Sequence, residues 1–243
     1  MIAIVVGGVD YGDADRVVHL LTHNGRLSVF AHGAKKSKKR FAGALEPFST
    51  ITCTLSQRPA HGMQTLSAAN VESSRLPIRD DLAKIALASY VVELASRVAP
   101  EAAPADQLFE LVAHSLDRIA ARSVSIAARR AFELRLIDAL GYRPSTGACT
   151  RCGTIAEKIY LDLSIGGVLC PEHRTTAKEL GPKTLTWMTR VLDSSDPADE
   201  EAELGAEWAD RAARALTEAT TAFFAGLLAK PLATARLLED VGL

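Results

Sequence analysis

The hydrophobic pattern of this 243-residue chain changes period once, close to residue 78. Before that point, short runs rich in β-branched residues alternate with turn signals, and the Asn24-Gly25 pair predicts a tight hairpin. Five short strands in so short a stretch predict a small, curled antiparallel sheet or barrel. Residues 1–78 are therefore predicted to form a first, β-structured domain.

Beyond residue 78, the apolar residues recur at helical spacing. The segments with this pattern are 79–98, 104–122 and 124–140. Pro104 near a helix start and Gly141 after a helix end are the expected end signals. Helical patterning resumes after a cysteine-bearing interruption at about 144–178. The chain is predicted to be an α+β multidomain protein, with a helical domain over 79–243 that carries this insertion.

Positive charge is concentrated in one short run, although the formal net charge of the chain is only -1. The run consists of Lys35, Lys36, Lys38, Lys39 and Arg40. Residues 1–78 hold nine Lys or Arg and five Asp or Glu, whereas residues 79–243 hold nineteen and twenty-four. Part of the acidic excess lies at 196–203, which we interpret as a solvated connector. The chain is polarised, and its near-neutrality is a cancellation between two halves.

The cationic run lies in the loop after the third predicted strand, in a stretch without acids between Arg16 and Leu45. A lysine-rich solvated loop and a nuclear-localisation signal are two interpretations of such a run. Its position on a β-module favours a third interpretation, binding of a polyanion. Small β-barrels bind single strands of nucleic acid in basic grooves, with aromatic faces on which the bases stack. Candidate aromatic residues are Tyr11, Phe30, Phe41 and Phe48. Of these, Phe30 and Phe48 are expected in the core.

The cysteine-bearing interruption has the spacing of a metal site. Cys149 and Cys152 lie two residues apart, and Cys170 and His173 repeat that spacing further on. Two such knuckles complete a tetrahedral Zn²⁺ shell. Four protein ligands leave no position open for water, so we expect one structural zinc per chain and no catalytic metal.

The sequence offers little else for covalent chemistry. It lacks a G-x-x-x-x-G-K-[ST] phosphate loop, and no glutamate is placed as in a zinc deaminase. We therefore predict that the protein is not an enzyme. The opening MIAIVV is too short to span a membrane and lacks the features of a signal peptide, so a cytoplasmic location is expected.

Several segments together resemble the RecO family of DNA repair proteins. They are YGDADRVVHLLT, AHGAKKSKKRFAGALEPF, RRAFELRLIDALGYRP, the C-x-x-C knuckle and KPLATARLL, and they occur in the family's order over nearly the whole chain. The resemblance implies an N-terminal OB-fold followed by a helical domain, often with a zinc site. The family's zinc ligands are commonly four cysteines, so His173 is a departure from its pattern.

The resemblance implies a recombination mediator in homologous-recombination repair, associated with the nucleoid. Such a protein binds single- and double-stranded DNA, anneals complementary strands, and binds the C-terminal tail of the single-stranded DNA-binding protein. With RecR it helps to load RecA onto coated DNA. The matching positions assign DNA contacts to Arg26 and the cationic run, and tail contacts to Arg129 and Arg130. The alternative is a zinc-containing transcriptional or RNA-binding regulator that uses the same basic barrel.

Overall fold

The computed structural model describes residues 1–37, 39–56, 62–194 and 205–243. Lys38 and the predicted acidic connector at 196–203 lie outside the described residues. The chain divides into two compact units. The first is Met1–Ser123 with Thr234–Val241, and the second is Val124–Ala233 with Gly242–Leu243. The domain boundary proposed near residue 78 marks the place where the hydrophobic period of the sequence changes, and it stays a prediction.

The first unit contains a five-stranded antiparallel sheet. Its strands are β1 (Ile2–Tyr11), β2 (Asp15–Thr22), β3 (Gly25–Ala31), β4 (Thr50–Leu55) and β5 (Leu66–Ser73). They lie in the order β3-β2-β1-β4-β5, and the two edge strands approach each other at an isolated parallel bridge between Phe30 and Thr65. Within the described part of the chain, no continuous pairing closes this sheet. A curled, partly open five-stranded sheet is the architecture of an OB-fold, as predicted.

The interior of this sheet is filled by alternate residues of its strands and by the loop after β3. Val18, Val29 and Ala31 are fully buried, as the two-residue period of a strand requires when one face is covered. The loop contributes Phe41 and Leu45 to the same core. These two side chains anchor the cationic run, since the loop cannot leave the sheet without exposing them to water.

The helices follow the strands of the first sheet along the chain. They are α1 (Leu82–Val98), α2 (Asp106–Ala121), α3 (Ile126–Ala139), α4 (Pro182–Asp193), α5 (Ala206–Ala215), α6 (Thr217–Leu227) and α7 (Ala235–Asp240). The three segments expected to be helical before the cysteine region correspond to α1, α2 and α3. The helical pattern near the end of the chain forms two helices, α5 and α6, because the α-helical hydrogen bonding is interrupted at Leu216, whose amide donates to the carbonyl of Ala213 three residues earlier.

Arg75 joins the sheet of the first unit to α2. Its side chain is 3% exposed and donates to the carbonyl of Phe48, 2.7 Å away, and to the carboxylate of Asp117, also 2.7 Å away. Further hydrogen bonds reach the hydroxyl of Thr50 and the carbonyl of Ala113. A buried guanidinium with this many partners fixes the helix on the sheet and leaves few of its donors unpaired.

The second unit holds α3 to α6 and a small sheet inserted between α3 and α4. The strands of this sheet are β6 (Ile159–Asp162), β7 (Gly167–Leu169) and β8 (Glu179–Leu180), in the order β7-β6-β8. The insertion matches the predicted interruption at 144–178. Of the helices that the structure describes, none has both the length and the apolar character needed to cross a bilayer.

Candidate metal centre and nucleic-acid interface

The predicted metal ligands come together in the second unit. One ligand atom from each of Cys149, Cys152, Cys170 and His173 lies within 4.8 Å of all the others. The Sγ atoms of Cys152 and Cys170 are 3.8 Å apart, and Nδ1 of His173 lies 3.3 Å from Sγ of Cys170 and 3.9 Å from Sγ of Cys149. This group can hold a metal ion.

The separations fit a tetrahedral ion of the size of zinc. With Zn–S near 2.3 Å and Zn–N near 2.0–2.1 Å, tetrahedral geometry separates two sulfurs by about 3.8 Å and a sulfur from a nitrogen by about 3.6 Å. The distance between the sulfurs of Cys152 and Cys170 equals the first value, the distances from His173 to Cys149 and Cys170 lie on either side of the second, and every other pair of ligand atoms lies within 4.8 Å. Three soft sulfur donors and one imidazole are also the donor set that zinc prefers.

Two tight backbone turns present the ligands. The amide of Gly153 donates to the carbonyl of Cys149 at 2.8 Å, and the amide of His173 donates to the carbonyl of Cys170 at 3.0 Å. The first turn encloses residues 150–152, including the ligand Cys152, and the second encloses the two residues between Cys170 and His173. Cys170 directly follows β7, so the small sheet fixes the second turn.

The pKa values of two thiols in the cluster are shifted in opposite directions. Burial acts to raise the pKa of Cys149, but hydrogen bonds from the backbone of Cys170, Arg151 and Cys152 outweigh it and lower this pKa to about 6. Burial raises the pKa of Cys170, in spite of backbone donors from His173 and Glu172. Because the thiolate is the form that binds a metal ion, the lowered pKa favours metal binding by Cys149 at neutral pH.

The cationic run is held against the sheet of the first unit from several sides. The backbone amide of Lys35 donates to the carbonyl of Ala14 at 3.0 Å, and the carbonyl of Arg40 accepts from the amide of Ala69 at 3.0 Å. The guanidinium of Arg40 donates to the carbonyl of His32 at 2.6 Å and lies over the ring of Phe41 at 5.0 Å. The run is an ordered surface loop along its described residues.

Acids at the tip of the β1–β2 hairpin pair with the start of this loop. The carboxylate of Asp10 lies 2.9 Å from Nζ of Lys35, and the hydrogen bond from Lys35 holds the pKa of Asp10 below its ordinary value. Asp15 accepts from the amide of Gly33 at 2.7 Å and lies 3.7 Å from the imidazole of His32. Sequence reasoning missed these pairings, although the signal was present in the acids that flank the hairpin turn.

The other described cations of the run remain exposed to solvent. Lys36, Lys39 and Arg40 are exposed, and among the described residues neither lysine has an ion-pair partner. Together with the partly exposed Lys35 they form a cationic surface, which we call the loop surface. Lys38, predicted to belong to it, lies outside the residues that the structure describes.

Arg26 is not brought to the loop surface. It lies near the start of β3, five residues before the strand ends, which places it about 17 Å from the loop along the strand. Its guanidinium pairs with Glu101 and lines a cavity of about 690 Å³ beside α1. A role for Arg26 in DNA contacts stays a prediction, and any such contact would be separate from the loop.

The two arginines predicted to bind a partner lie on α3. Arg130 is 1% exposed and pairs with Glu133, which is equally buried. The side chain of Arg129 is 14% exposed, pairs with Glu133 and donates to the backbone carbonyl of Leu243 at 2.8 Å. Their role in tail binding stays a prediction, and the burial of Arg130 leaves Arg129 as the member of the pair nearer to solvent.

The aromatic candidates divide differently from the expectation. Phe48 is buried, as predicted, and so is Phe41, which belongs to the core of the sheet. Phe30 was expected in the core but is only half-buried. It alternates with the buried Val29 and therefore lies on the outer face of the sheet. Tyr11 is 63% exposed.

Comparisons with known proteins agree with this architecture. The family model described as Recombination protein O N terminal matches residues 1–75, and the one described as Recombination protein O C terminal matches residues 79–235. A DNA repair protein RecO from Anaeromyxobacter sp. (strain K) is 37% identical over 247 residues, covering 98% of this chain and 95% of the relative.

Two further relatives carry the same name. The DNA repair protein RecO of Pelobacter propionicus is 38% identical over 192 residues, covering 78% of each chain. That of Geobacter sulfurreducens is 35% identical over 193 residues, covering 78% of this chain and 79% of the relative. Matches of this identity and coverage, together with the OB-like sheet and the Cys/His cluster, show that the chain belongs to the RecO family of recombinational DNA repair proteins.

Proposed function

We propose that the protein is a DNA-binding recombination mediator that binds single- and double-stranded DNA through the loop surface and anneals complementary strands without ATP. The observation that carries this proposal is the pair of exposed lysines, Lys36 and Lys39, on a loop fixed to an OB-like sheet by Phe41 and Leu45. Exposed ammonium groups without acidic partners are available to phosphates, and an anchored loop presents them at little cost in conformational entropy.

Lysine suits a protein that must accept any sequence. An ammonium group contacts phosphates as a point charge, and phosphate contacts carry no sequence information. Binding through such contacts leaves the hydrogen-bonding edges of the bases open for pairing with a second strand. This is the property that strand annealing requires.

The metal centre is proposed to hold one structural zinc. Cys149, Cys152, Cys170 and His173 would be its four ligands, and the ion would close the loop between α3 and α4. A sphere filled by four protein ligands supplies cross-linking and no activated water. The zinc is therefore assigned to stability, and DNA binding to the first unit.

Protein partners are proposed from the family alone. We infer that the protein acts with RecR to load RecA onto DNA coated with the single-stranded DNA-binding protein, and that it binds the acidic tail of that protein. Its place in the cell would follow from DNA binding, as a nucleoid-associated protein. Arg129 is the proposed contact for a tail carboxylate, since a guanidinium pairs with carboxylates in a bidentate manner.

The Lys36→Ala, Lys39→Ala double variant tests the DNA-binding proposal. Each phosphate contact contributes about -0.7 to the slope of log affinity against log salt on single strands, and about -0.9 on duplex. Losing two contacts should make the slope shallower by about 1.4 on single strands and about 1.8 on duplex, whatever the sequence. Stability should change by no more than about 0.5 kcal/mol, because both side chains are exposed.

A matched control is Lys183→Ala, Lys230→Ala, which removes two exposed lysines of the second unit. This control should leave the salt slope as in the unchanged protein. An unchanged slope in the Lys36, Lys39 variant would reject the loop surface as the DNA site. Annealing of complementary oligonucleotides separates the proposal from the regulator alternative, which requires altered transcript levels and intact annealing in the variant.

Tail binding is tested by Arg129→Ala with a synthetic acidic peptide. We expect weaker binding, because the carboxylate would lose its charged donor. Arg129 also pairs with Glu133, so the melting temperature must be measured on the same sample. Arg143→Ala is a useful comparison, since it removes another ion-paired arginine of the second unit. Equal peptide affinity for Arg129→Ala and the unchanged protein would reject the assignment.

A further inference from the structure

Three aromatic rings form a cluster on the outer face of the first sheet. Tyr11 lies at the end of β1 and Phe30 in β3, and their ring centroids are 5.4 Å apart at an interplanar angle of 74°. His32 follows β3, with its ring centroid 4.5 Å from that of Phe30. We call these residues the aromatic cluster.

The cluster reaches across an intervening strand. β2 separates β1 from β3, and Phe30 is paired with Val17 of β2. Tyr11 is paired with Asp15 of the same strand. The two rings therefore meet over β2 rather than as a directly opposed cross-strand pair.

Two of the three rings are largely exposed to water, and the third, Phe30, is half-buried. Tyr11 is 63% exposed, and the imidazole of His32 is also 63% exposed. Val9, on the same face of β1 as Tyr11, is 62% exposed. Apolar and aromatic surface grouped in this way marks a binding surface more often than isolated exposed residues do.

The charge beside the cluster indicates its partner. The loop surface starts at Lys35, three residues after His32, and Arg40 donates a hydrogen bond to the His32 carbonyl at 2.6 Å. Cations border the cluster on its loop side, while the hairpin acids Asp10 and Asp15 beside it are engaged with Lys35 and with the amide of Gly33. Aromatic faces next to such cations match a nucleic-acid strand, whose bases have π-faces and whose backbone is a line of phosphates. The location also fits, because OB-folds bind oligonucleotides on the face of their second and third strands and at the loop between the first two.

We propose that Tyr11, Phe30 and His32 form a stacking site for the unpaired bases of single-stranded DNA. The proposal rests on the proposed DNA-binding function and adds to it a basis for telling single strands from duplex. Base faces inside a duplex are covered by their neighbours, so only an unpaired strand can place a base on the cluster. Stacking is tolerant of sequence because every base has a π-face.

Stacking at this site also fits strand annealing. A base held by its face keeps its pairing edge free, so a complementary strand can approach while the first strand is bound. Phosphate contacts at the loop surface and face contacts at the aromatic cluster would then hold a strand without using any base edge.

The test compares Tyr11→Leu and Phe30→Leu in the full chain, using a dT oligonucleotide and a duplex over a salt series. Leucine keeps apolar volume and removes the π-face. Each substitution should weaken single-strand binding by about tenfold, the change expected for loss of stacking on one base. Duplex affinity should stay within about twofold, and the salt slope should not change, because no phosphate contact is lost.

The matched control is Tyr142→Leu. Tyr142 is a 53% exposed tyrosine of the second unit that packs edge-on against Phe223, with ring centroids 5.6 Å apart. It should bind both DNA forms as the unchanged protein does. Because Tyr11 is exposed, its substitution should also leave the melting temperature unchanged, which keeps the test valid even where Phe30→Leu reduces stability.

The outcomes separate this inference from the proposed function. Unchanged single-strand affinity in Tyr11→Leu, or an equal loss on single strands and duplex, overturns the stacking site. If the Lys36→Ala, Lys39→Ala variant still has a shallower salt slope, that failure of the stacking site leaves the loop surface as the proposed phosphate-binding site. When neither variant changes binding, the proposed DNA site itself has failed.

Discussion

The two sheets of this protein are held together in different ways. Counting only residues that the structure describes, the five-stranded sheet encloses a core of thirteen buried residues, among them Leu20, Ile51 and Leu66. In the described part of the second unit, the three-stranded sheet contributes to a cluster of four buried residues, and two of these are the proposed metal ligands Cys149 and Cys170.

The difference between the two buried clusters shows what a small sheet needs in order to stay folded. Apolar burial stabilises by about 25 cal/mol per Å², and the strands of the second sheet, at two to four residues, supply few side chains for it, although Leu161, Val168 and Leu180 are buried. Small structures of this kind usually depend on a metal or a disulfide. The first sheet is therefore expected to be stabilised by its own apolar core, whereas the second is expected to depend on its metal ion.

Removal of the metal should have the largest effect. Cys149→Ser should lower zinc affinity by more than about a hundredfold, since even outer-shell changes cost ten- to a hundredfold. Amides of β6 and β7 should lose protection from hydrogen exchange, while those of β1 to β5 stay protected. Metal analysis and exchange on one sample measure both effects.

Two results would contradict this view of the small sheet. One is purified protein without bound zinc that nevertheless keeps β6 and β7 protected. The other is loss of protection in β1 to β5 on chelation, which would mean that the ion supports the first sheet as well. The DNA salt slope serves as a control, because the loop surface is anchored in the first sheet.

Leu66→Ala should produce the opposite pattern. Leu66 is fully buried in the core of the first sheet. Its truncation should cost about 2–5 kcal/mol of unfolding free energy through lost burial and the cavity left behind. Zinc content should remain one per chain. A loss of zinc in this variant would argue against separate stabilisation of the two sheets.

Gly167→Ala should disturb the small sheet by a moderate amount. Gly167 has φ +141, and a Cβ at this position would collide with the backbone of Ser145. Overpacking of this kind costs about 1–3 kcal/mol, and we expect weaker zinc binding in a chelator competition. Gly166→Ala is the matched control, because that residue also has positive φ but open space around its Cβ position. Equal zinc affinities in the two variants would exclude the collision as the cause.

Asp10→Asn should have the smallest effect, and it acts on DNA affinity instead of on stability. Asp10 competes with phosphate for Lys35, to which it is ion-paired at 2.9 Å. Its removal should raise single-strand affinity by about two- to fivefold, in line with the modest strength of exposed ion pairs. The salt slope should steepen by about 0.7 as Lys35 gains a phosphate contact.

Asp13→Asn is the matched control for this prediction. Asp13 is exposed in the same hairpin, and its replacement changes the net charge by the same amount. Equal gains in affinity from the two variants would show a general charge effect. A gain specific to Asp10→Asn would show that the hairpin acid restrains the loop surface.

Local patterns in the sequence predicted much of the fold and part of the site. The period-two runs gave the five strands, and the helical runs gave α1 to α3 within a few residues. The cysteine and histidine spacing identified a ligand group that the structure brings within 4.8 Å. Each of these signals is carried by residues close together in the chain, where strand and helix geometry determine the outcome.

The sequence by itself determined where charge and metal ligands are concentrated, while tertiary packing decided which side chains are available. Arg130 reads as a surface cation but is buried with Glu133, and Lys35 reads as unpaired but meets Asp10. Phe30 reads as core but lies on the outer face beside Tyr11. The burial of the Arg130–Glu133 pair depends on how α3 packs, the Lys35–Asp10 pair joins residues distant in the chain, and the exposure of Phe30 depends on which face of β3 is covered. Such contacts form only when the elements pack, so local periodicity carries no signal for them.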